Sequence, residues 1–452
     1  MTFVGDPAQG DVGRRVLLVA IGTRGDVEPA VRLGSVLQRQ GDRVVVAVLA
    51  DGVAAVEGAG LRPLVVGPPA TEAMWWRSPL ARTLALSHPG AMYQQTRTRL
   101  ARHADEIAAG LSPVLAPPSR DGRPVEGAAD LVVCGLAAAG LVPVLLRAGV
   151  PARLVLHAPL IPHPAGTSAW RTSLSSLLPE PVEAGRQHLM WNLTQGLSSA
   201  LSRAQQRLWA DVAPGPGPLP TQPPLLTTSP VLDPDPSPEV VQTGWWADPH
   251  PVRPLPDEVD DWLARHPEAV LLSLGSLAHT DPEEQVEQLA DVAARAGVPA
   301  VVQVHGARPG LRPAPSTRPS EDATVGPGIL VVGDVDHRAL LPRVRAVVHH
   351  GGSGTTHAAA AAGRPQLVVP RLGDQPHYGR QVHRAGLGPP PLPHTRASVR
   401  ALAQALADLL AEPSYAAAAT EAATRMGGED GLQRAVAELA ATPTGDRAGA
   451  TR

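Results

Sequence analysis

Two doubly wound α/β domains facing one another across a cleft are the fold this sequence predicts, on three observations. Its aliphatic runs, such as RVLLVA, RVVVAVLA, AVLLSL and GILVV, are continuous rather than alternating, which marks strands buried on both faces of a parallel sheet covered by helices. The runs alternate with segments of helical apolar spacing, the order of strand-helix-strand crossover units. That grammar occurs twice, on either side of the proline-crowded stretch APGPGPLPTQPPLLTTSPVLDPDPSP at 213–238, where proline blocks helix interiors and central strands.

The elements follow in order. RRVLLVAIG reads as the first strand, GTRGDVEP as a glycine-rich turn, PAVRLGSVLQRQG as a helix and RVVVAVLA as the next strand, and the pattern returns at ADLVVCG, GLVPVLLRAG and ARLVLHAPL. Residues 14–212 therefore form a first domain and 213–238 the connection. After TGWWADP the same grammar restarts with the strand AVLLSLGS, the helix EEQVEQLADVAARAG and the strands AVVQVHG, GILVVGDV, AVVHHGG and QLVVP, giving a second domain over 239–425. The polar, proline-rich stretch GARPGLRPAPSTRPSEDATVGPG, after AVVQVHG, reads as a loop.

Composition removes whole classes of function. The 452 residues contain no lysine, so all 39 basic side chains are arginines, and a Schiff-base nucleophile, a pyridoxal phosphate linkage and a Walker P-loop are excluded. Cys134 is the sole cysteine, which excludes an intramolecular disulfide and a thiolate metal cluster and fits the cytoplasm. The net charge is −3 and aromatics are 3%, with no basic stripe or stacking platform for nucleic acid. No apolar run is long enough to span a bilayer, and no integral membrane association is expected.

The strongest chemical signal is HHGGSGTTHAAAAAG, beginning at His349, after the strand RAVVH and opening an alanine-rich helix. Glycines let the backbone approach a ligand closely, Ser353, Thr355 and Thr356 offer hydroxyls, and a helix start presents unpaired N–H groups and positive dipole. Such a loop holds a diphosphate; taken locally, it is equally a tight turn with an N-cap. The histidine spacing fits no zinc pattern, and no metal site is expected.

This loop resembles the donor-diphosphate motif of the UDP-glycosyltransferase superfamily, whose two-domain architecture is GT-B, and GTRGDVEP is closest to its bacterial natural-product branch, with vancomycin-type glycopeptide and sterol glycosyltransferases. The resemblance spans nearly the whole chain. It implies that His350, Gly352, Ser353, Gly354 and Thr355 hold the donor diphosphate, with Gly275 and Ser276 in the VLLSLGS loop beneath the phosphates. It implies further that Asp374 and Gln375, in VVPRLGDQPHYG, hold hydroxyls of the donor sugar. EDGLQRAVAEL, within 426–441, resembles the family's last helix, which packs back toward the first domain. Where plant-type relatives carry an aromatic residue that stacks on uracil, this chain has GDVDHRALLP, leaving Val335 and His337 as contacts for the donor base and the nucleotide, UDP or dTDP, open.

Much of the superfamily has a catalytic histidine after the second glycine of the N-terminal loop; this chain has Asp26, as the glycopeptide branch does. A carboxylate there can accept the acceptor hydroxyl's proton while its oxygen attacks the sugar C1 with inversion, and it can equally cap the helix beginning at VEPAV. Glu28 is an alternative base. Trp75, Trp76 and Trp170 fall where family acceptor loops lie and can pack an apolar scaffold or their own core; His157 and His163 read as structural. The reading is a hexosyltransferase using a glucose-like nucleotide sugar as co-substrate (UDP-glucose or a dTDP-sugar), a small apolar natural product as acceptor and no further cofactor. A nucleotide-sugar epimerase of the same architecture and a non-catalytic nucleotide-sugar-binding protein are the alternatives.

Overall fold

The computed structural model describes residues 13–73, 89–117, 125, 127–163, 168–170, 178–209, 222–274, 282–304, 309–312, 328–371 and 373–442. Among them, a first sheet contains β1 (Arg15–Ala20), β2 (Arg43–Leu49), β3 (Arg62–Gly67), β4 (Leu131–Cys134), β5 (Ala152–Leu156), β6 (Leu225–Leu226) and β7 (Val241–Gln242), in the order β3-β2-β1-β4-β5-β6-β7 and parallel throughout. A second contains β8 (Val270–Ser273), β9 (Ala300–Gln303), β10 (Gly310–Arg312), β11 (Ile329–Val332), β12 (Val347–His349) and β13 (Gln366–Val368), in the order β10-β11-β9-β8-β12-β13. Two doubly wound domains are thus present, as the aliphatic runs predict.

Burial follows the reading of those runs. The side chains of β1 divide between two cores, Leu17 and Val19 on one face and Val16 and Leu18 on the other. Helix α1 (Arg24–Arg39) covers the second face with Val27, Val31 and Leu33.

Two details depart from the sequence reading. The second half of the proline-rich stretch is not a free connection: β6 and β7 flank it and extend the first sheet, their short ladders using the few residues between prolines that keep N–H donors. The polar stretch before β11 also contributes β10, which pairs antiparallel with β11 at the sheet edge. The chain crosses between domains twice. It leaves the first after β7 and Trp246 and returns through 427–431 into the helix Gly431–Ala440, whose Leu432, Ala435, Val436 and Leu439 are buried beneath α1 in the first domain's core.

Candidate active site

In the first domain the loop between β1 and α1 lies where the strand order turns from β2-β1 to β4, the crevice at which open α/β sheets bind ligands. Thr23 is the N-cap of α1, and the Asp26 carboxylate reaches back to its N–H at 2.9 Å, closing a capping box. Capping and exposure to the cleft coexist. Asp26 borders a small cavity with Ala20, Gly135, His157 and Trp246, and burial pushes its carboxyl up to about 6, against the hydrogen bonds from Thr23. Its Oδ2 lies where a Cβ on Gly22 would stand, 2.1 Å away, so the first glycine of the turn is required by the carboxylate itself. Glu28, the alternative base, pairs with Arg24 and with Arg32, the latter at 3.0 Å.

His157 and Trp246 line this cavity as well, and the sequence reading assigns neither to the site. His157 follows β5, hydrogen-bonds Thr227 Oγ1 through Nδ1 at 3.0 Å, and is lowered to about 4 by burial and by Arg32, so it is neutral at pH 7. Trp246, in the TGWW segment, is 2% exposed and donates from its indole N–H to Thr243 Oγ1 at 3.0 Å. It lines the cavity while packing against α1, where Arg32 donates to its carbonyl oxygen at 3.0 Å.

The second domain presents its glycine loop after β12. His349 is fully buried: its Nδ1 accepts from the Gly351 N–H at 3.1 Å, so Nε2 carries the proton and donates to Gln366 Oε1 at 2.8 Å. The ring locks the turn as a neutral group, its pKa lowered to about 3 by burial and by His350. Gly351 has φ +87°, and a Cβ there would meet Val368 Cγ1 at 2.6 Å and the Gln375 carbonyl oxygen at 3.0 Å. Gly351→Ala should therefore cost about 2–5 kcal/mol from left-handed backbone strain plus overpacking, read as a fall in the denaturation midpoint. Gly354 makes the contrast: a Cβ there meets nothing within 4 Å, and Gly354→Ala should leave the midpoint unchanged or raised.

Gly352 caps the helix Ser353–Ala361, which opens with Ser353, Gly354 and Thr355. The first intrahelical bond runs from the Thr356 N–H to Gly352 O at 3.0 Å, and the N–H groups before it are the helix's unsatisfied donors. His350 stands beside them, with Nε2 2.5 Å from a Cβ built on Gly352; burial and the Arg371 guanidinium lower its pKa to about 4. It is therefore a neutral hydrogen-bonding group at pH 7. The Ser353 hydroxyl is already engaged, donating to Tyr378 OH at 3.0 Å. What this loop offers an anion is chiefly backbone N–H and dipole.

Asp374 is the N-cap of the helix Gln375–Arg384. Burial, with smaller contributions from Asp26 and Asp233, raises its carboxyl to about 6 against a backbone hydrogen bond and His377, so the Asp26 charge is felt at Asp374 across the cleft. Gln375 is 5% exposed and accepts the Arg371 N–H at 2.9 Å through Oε1. Val335 is partly buried against the core beneath β11, and His337 hydrogen-bonds Gln303 Oε1 at 2.9 Å. Trp170 donates to Leu160 O at 2.7 Å and packs in the apolar cluster of Leu160, Trp191 and Tyr378. Gly275, Ser276, Trp75 and Trp76 lie outside the described residues.

The helix Gln375–Arg384 also ties the domains together. Tyr378, fully buried, donates to His157 O of the first domain at 2.5 Å while accepting from Ser353. His377 Nε2 meets Asp233 Oδ1 at 2.7 Å, both side chains inaccessible. His357 accepts the Ser229 N–H at 3.1 Å and donates to Ser353 O at 2.8 Å. The glycine loop is thereby connected to the interdomain segment and to the strand end that bears His157.

The similarities of the chain agree with this geometry. Residues 314–441 match the family described as erythromycin biosynthesis protein CIII-like, C-terminal domain. The vancomycin aglycone glucosyltransferase of Amycolatopsis orientalis is 30% identical over 427 residues, covering 91% of this chain and 93% of that one. The glycosyltransferase SnogD from Streptomyces nogalater shares the fold with a TM-score of 0.58 at 20% identity, over 96% of this chain and 100% of that one. The glycosyltransferase VinC in complex with dTDP does so with a TM-score of 0.60 at 21% identity, over 94% and 98%. Among the described residues no helix is long and apolar enough to cross a membrane. A two-domain frame of mostly parallel sheets with a glycine loop at a helix start on one side of its cleft and a desolvated carboxylate on the other, together with a relative of this identity along nearly the whole length, makes the chain a member of the natural-product branch of the GT-B glycosyltransferases.

Proposed function

We propose that this glycosyltransferase moves a hexose, glucose-like, from a nucleoside diphosphate sugar to a hydroxyl of a small, largely apolar natural product with inversion at C1. The observation that carries the reading is the placement of Asp26, a carboxylate shifted toward neutral pH and electrostatically coupled across the cleft to Asp374. Asp26 is the general base. With a pKa of about 6 it is mostly ionised at pH 7 and basic enough to take a proton as the acceptor oxygen attacks. The leaving diphosphate lies on the start of the helix Ser353–Ala361, where the N–H groups of Ser353, Gly354 and Thr355 and the His350 ring stabilise the charge that develops. Asp374 and Gln375, at the start of the next helix, meet the sugar hydroxyls, and Val335 and His337 border the base. No metal or further cofactor enters this scheme: the phosphate charge is met by amides and dipole. The nucleotide complex of the structurally similar VinC supports a nucleotide-sugar donor.

Calorimetric titration with UDP, UDP-glucose, dTDP and dTDP-glucose, in chelator, tests the donor half. One nucleotide should bind at micromolar affinity in the wild type and fail to bind Gly354→Asp. Gly354 is exposed and its Cβ position is free, so that variant keeps the fold, and its carboxylate favours the helix start while repelling a diphosphate. Binding that survives Gly354→Asp places the nucleotide elsewhere and ends this assignment.

A further inference from the structure

The helix that carries Asp374 and Gln375 also carries an arginine that no feature of the proposed reaction uses. Arg380 is only partly accessible, its Nη2 is buried without a hydrogen-bond partner, and no carboxylate among the described residues lies within ion-pair distance. The charged groups that act on it are both cations: Arg384, one turn along the same helix, and Arg186, on the helix Glu180–Gln195 of the first domain. Glu183, in that helix, is spent on Arg186, which it holds at 2.7 Å, and Arg186 further donates to Trp170 O. Burial and the two neighbouring cations lower the Arg380 pKa to about 10, which leaves it fully charged at pH 7.

A half-buried guanidinium with no carboxylate of its own and like charges nearby is unfavourable in the empty protein: desolvation and repulsion act together on it, and the Glu183 carboxylate is engaged with Arg186. An oxyanion lodged against it relieves both, and the planar guanidinium fork matches a carboxylate or a phosphate through paired N–H donors. The position is informative as well. Arg186, which acts on Arg380 from the first domain, donates to Trp170 O, and Trp170 packs in the apolar cluster with Trp191, so the cationic spot lies toward aromatic surface of the domain opposite the nucleotide loop.

We infer that Arg380, with Arg186 and Arg384, binds an oxyanion carried by the acceptor, a carboxylate or phosphate ester attached to an apolar body that rests on the Trp170 side of the cleft. This rests on the proposed placement of the acceptor in the first domain and narrows its class from apolar to amphiphilic acid. Because Arg186 and Arg380 belong to different domains, the same anion neutralises a repulsion between them and favours their approach.

The test uses the full-length protein without donor, so failure of the nucleotide reading, scored by the UDP and dTDP titrations, stays separate. The probes are 2-naphthoate, 2-naphthyl phosphate, neutral 2-naphthol and inorganic phosphate, titrated calorimetrically into wild type, Arg380→Gln and Arg380→Lys, with the phosphate arms repeated in Gly354→Asp to silence the nucleotide loop. In wild type both naphthyl anions should bind at least about tenfold more tightly than 2-naphthol, as charge-assisted hydrogen bonds to a desolvated guanidinium require. The preference should vanish in Arg380→Gln and return in part in Arg380→Lys. Arg380→Gln without ligand should melt at or above the wild-type temperature, since it removes an unpaired charge. Equal binding of naphthoate and naphthol, an anion preference that survives Arg380→Gln, or a large fall in that variant's melting temperature would each overturn the site. Inorganic phosphate binding as tightly as naphthyl phosphate would also overturn it, by showing a free oxyanion in place of an acceptor's.

Discussion

Asp26→Asn should yield a folded protein whose turnover is about 10²- to 10⁴-fold lower, the range a positioned general base contributes. Asparagine retains an oxygen for the Thr23 N–H, which Asp26 accepts at 2.9 Å, so the cap of α1 survives while the basic group is gone. Stability should move the opposite way. The carboxyl lies at about 6 in the folded protein against 3.8 for an unperturbed aspartate, so the folded chain holds its proton more tightly than the unfolded one. The stability this confers is fully present below about pH 4 and is lost as pH rises through 6. At pH 7 the ionised carboxylate thus costs roughly 2–3 kcal/mol, which Asp26→Asn should recover, with no gain below pH 4. Denaturant unfolding at pH 4 and pH 7 reads the stability side. On the rate side, wild-type kcat/KM should fall as pH drops through about 6, the value to which burial raises Asp26. An Asp26→Asn enzyme with near-normal turnover would remove the base from Asp26.

The second large effect is expected at His350. Its ring stands at the start of the helix Ser353–Ala361 and, with a pKa near 4, is neutral before ligand binds. Its service to a leaving diphosphate is therefore a positioned hydrogen bond rather than a standing positive charge. Removing one such donor costs about 10²–10³ in kcat by analogy with oxyanion holes, and that is the loss expected for His350→Ala. The donor KM should change much less, because the bond strengthens as charge develops. His349→Ala differs in kind: His349 holds Gly351 and Gln366 from inside the core, so its loss should appear first as instability. Equal kcat in His350→Ala and wild type would place the departing phosphate away from this loop.

What can be read from the sequence is what is local. Two parallel sheets follow from uninterrupted aliphatic runs, because burial on both faces leaves no polar alternation. The strand-glycine-helix loop at Gly351 to Thr355 and the turn at Gly22 to Asp26 are likewise written within a dozen consecutive residues. The partners are not local. His157 shares a cavity with Asp26 only because β5 lies two strands from β1 in the sheet order, and Tyr378 reaches His157 O across 221 positions of sequence. Asp233 lies amid prolines that read as connection, yet its carboxylate is wholly buried against His377. No spacing announces such pairs; they are products of how the domains dock. Ser353 shows the same limit from the other side: its hydroxyl suits a phosphate by type, but Tyr378 occupies it.

The double crossing of the chain bears on the order in which the molecule is made. Leu432, Ala435, Val436 and Leu439 complete the core of the domain that begins at β1, and Arg14 donates to Leu439 O at 3.2 Å. During synthesis, the amino-terminal half emerges with an apolar groove on α1 that stays unfilled until more than four hundred residues have been translated. A truncated amino-terminal half would present that groove permanently, so dissecting the enzyme into separately expressed halves requires the Gly431–Ala440 helix to be grafted onto the first half, while the ribosome-bound nascent chain offers chaperones an exposed surface for most of its elongation.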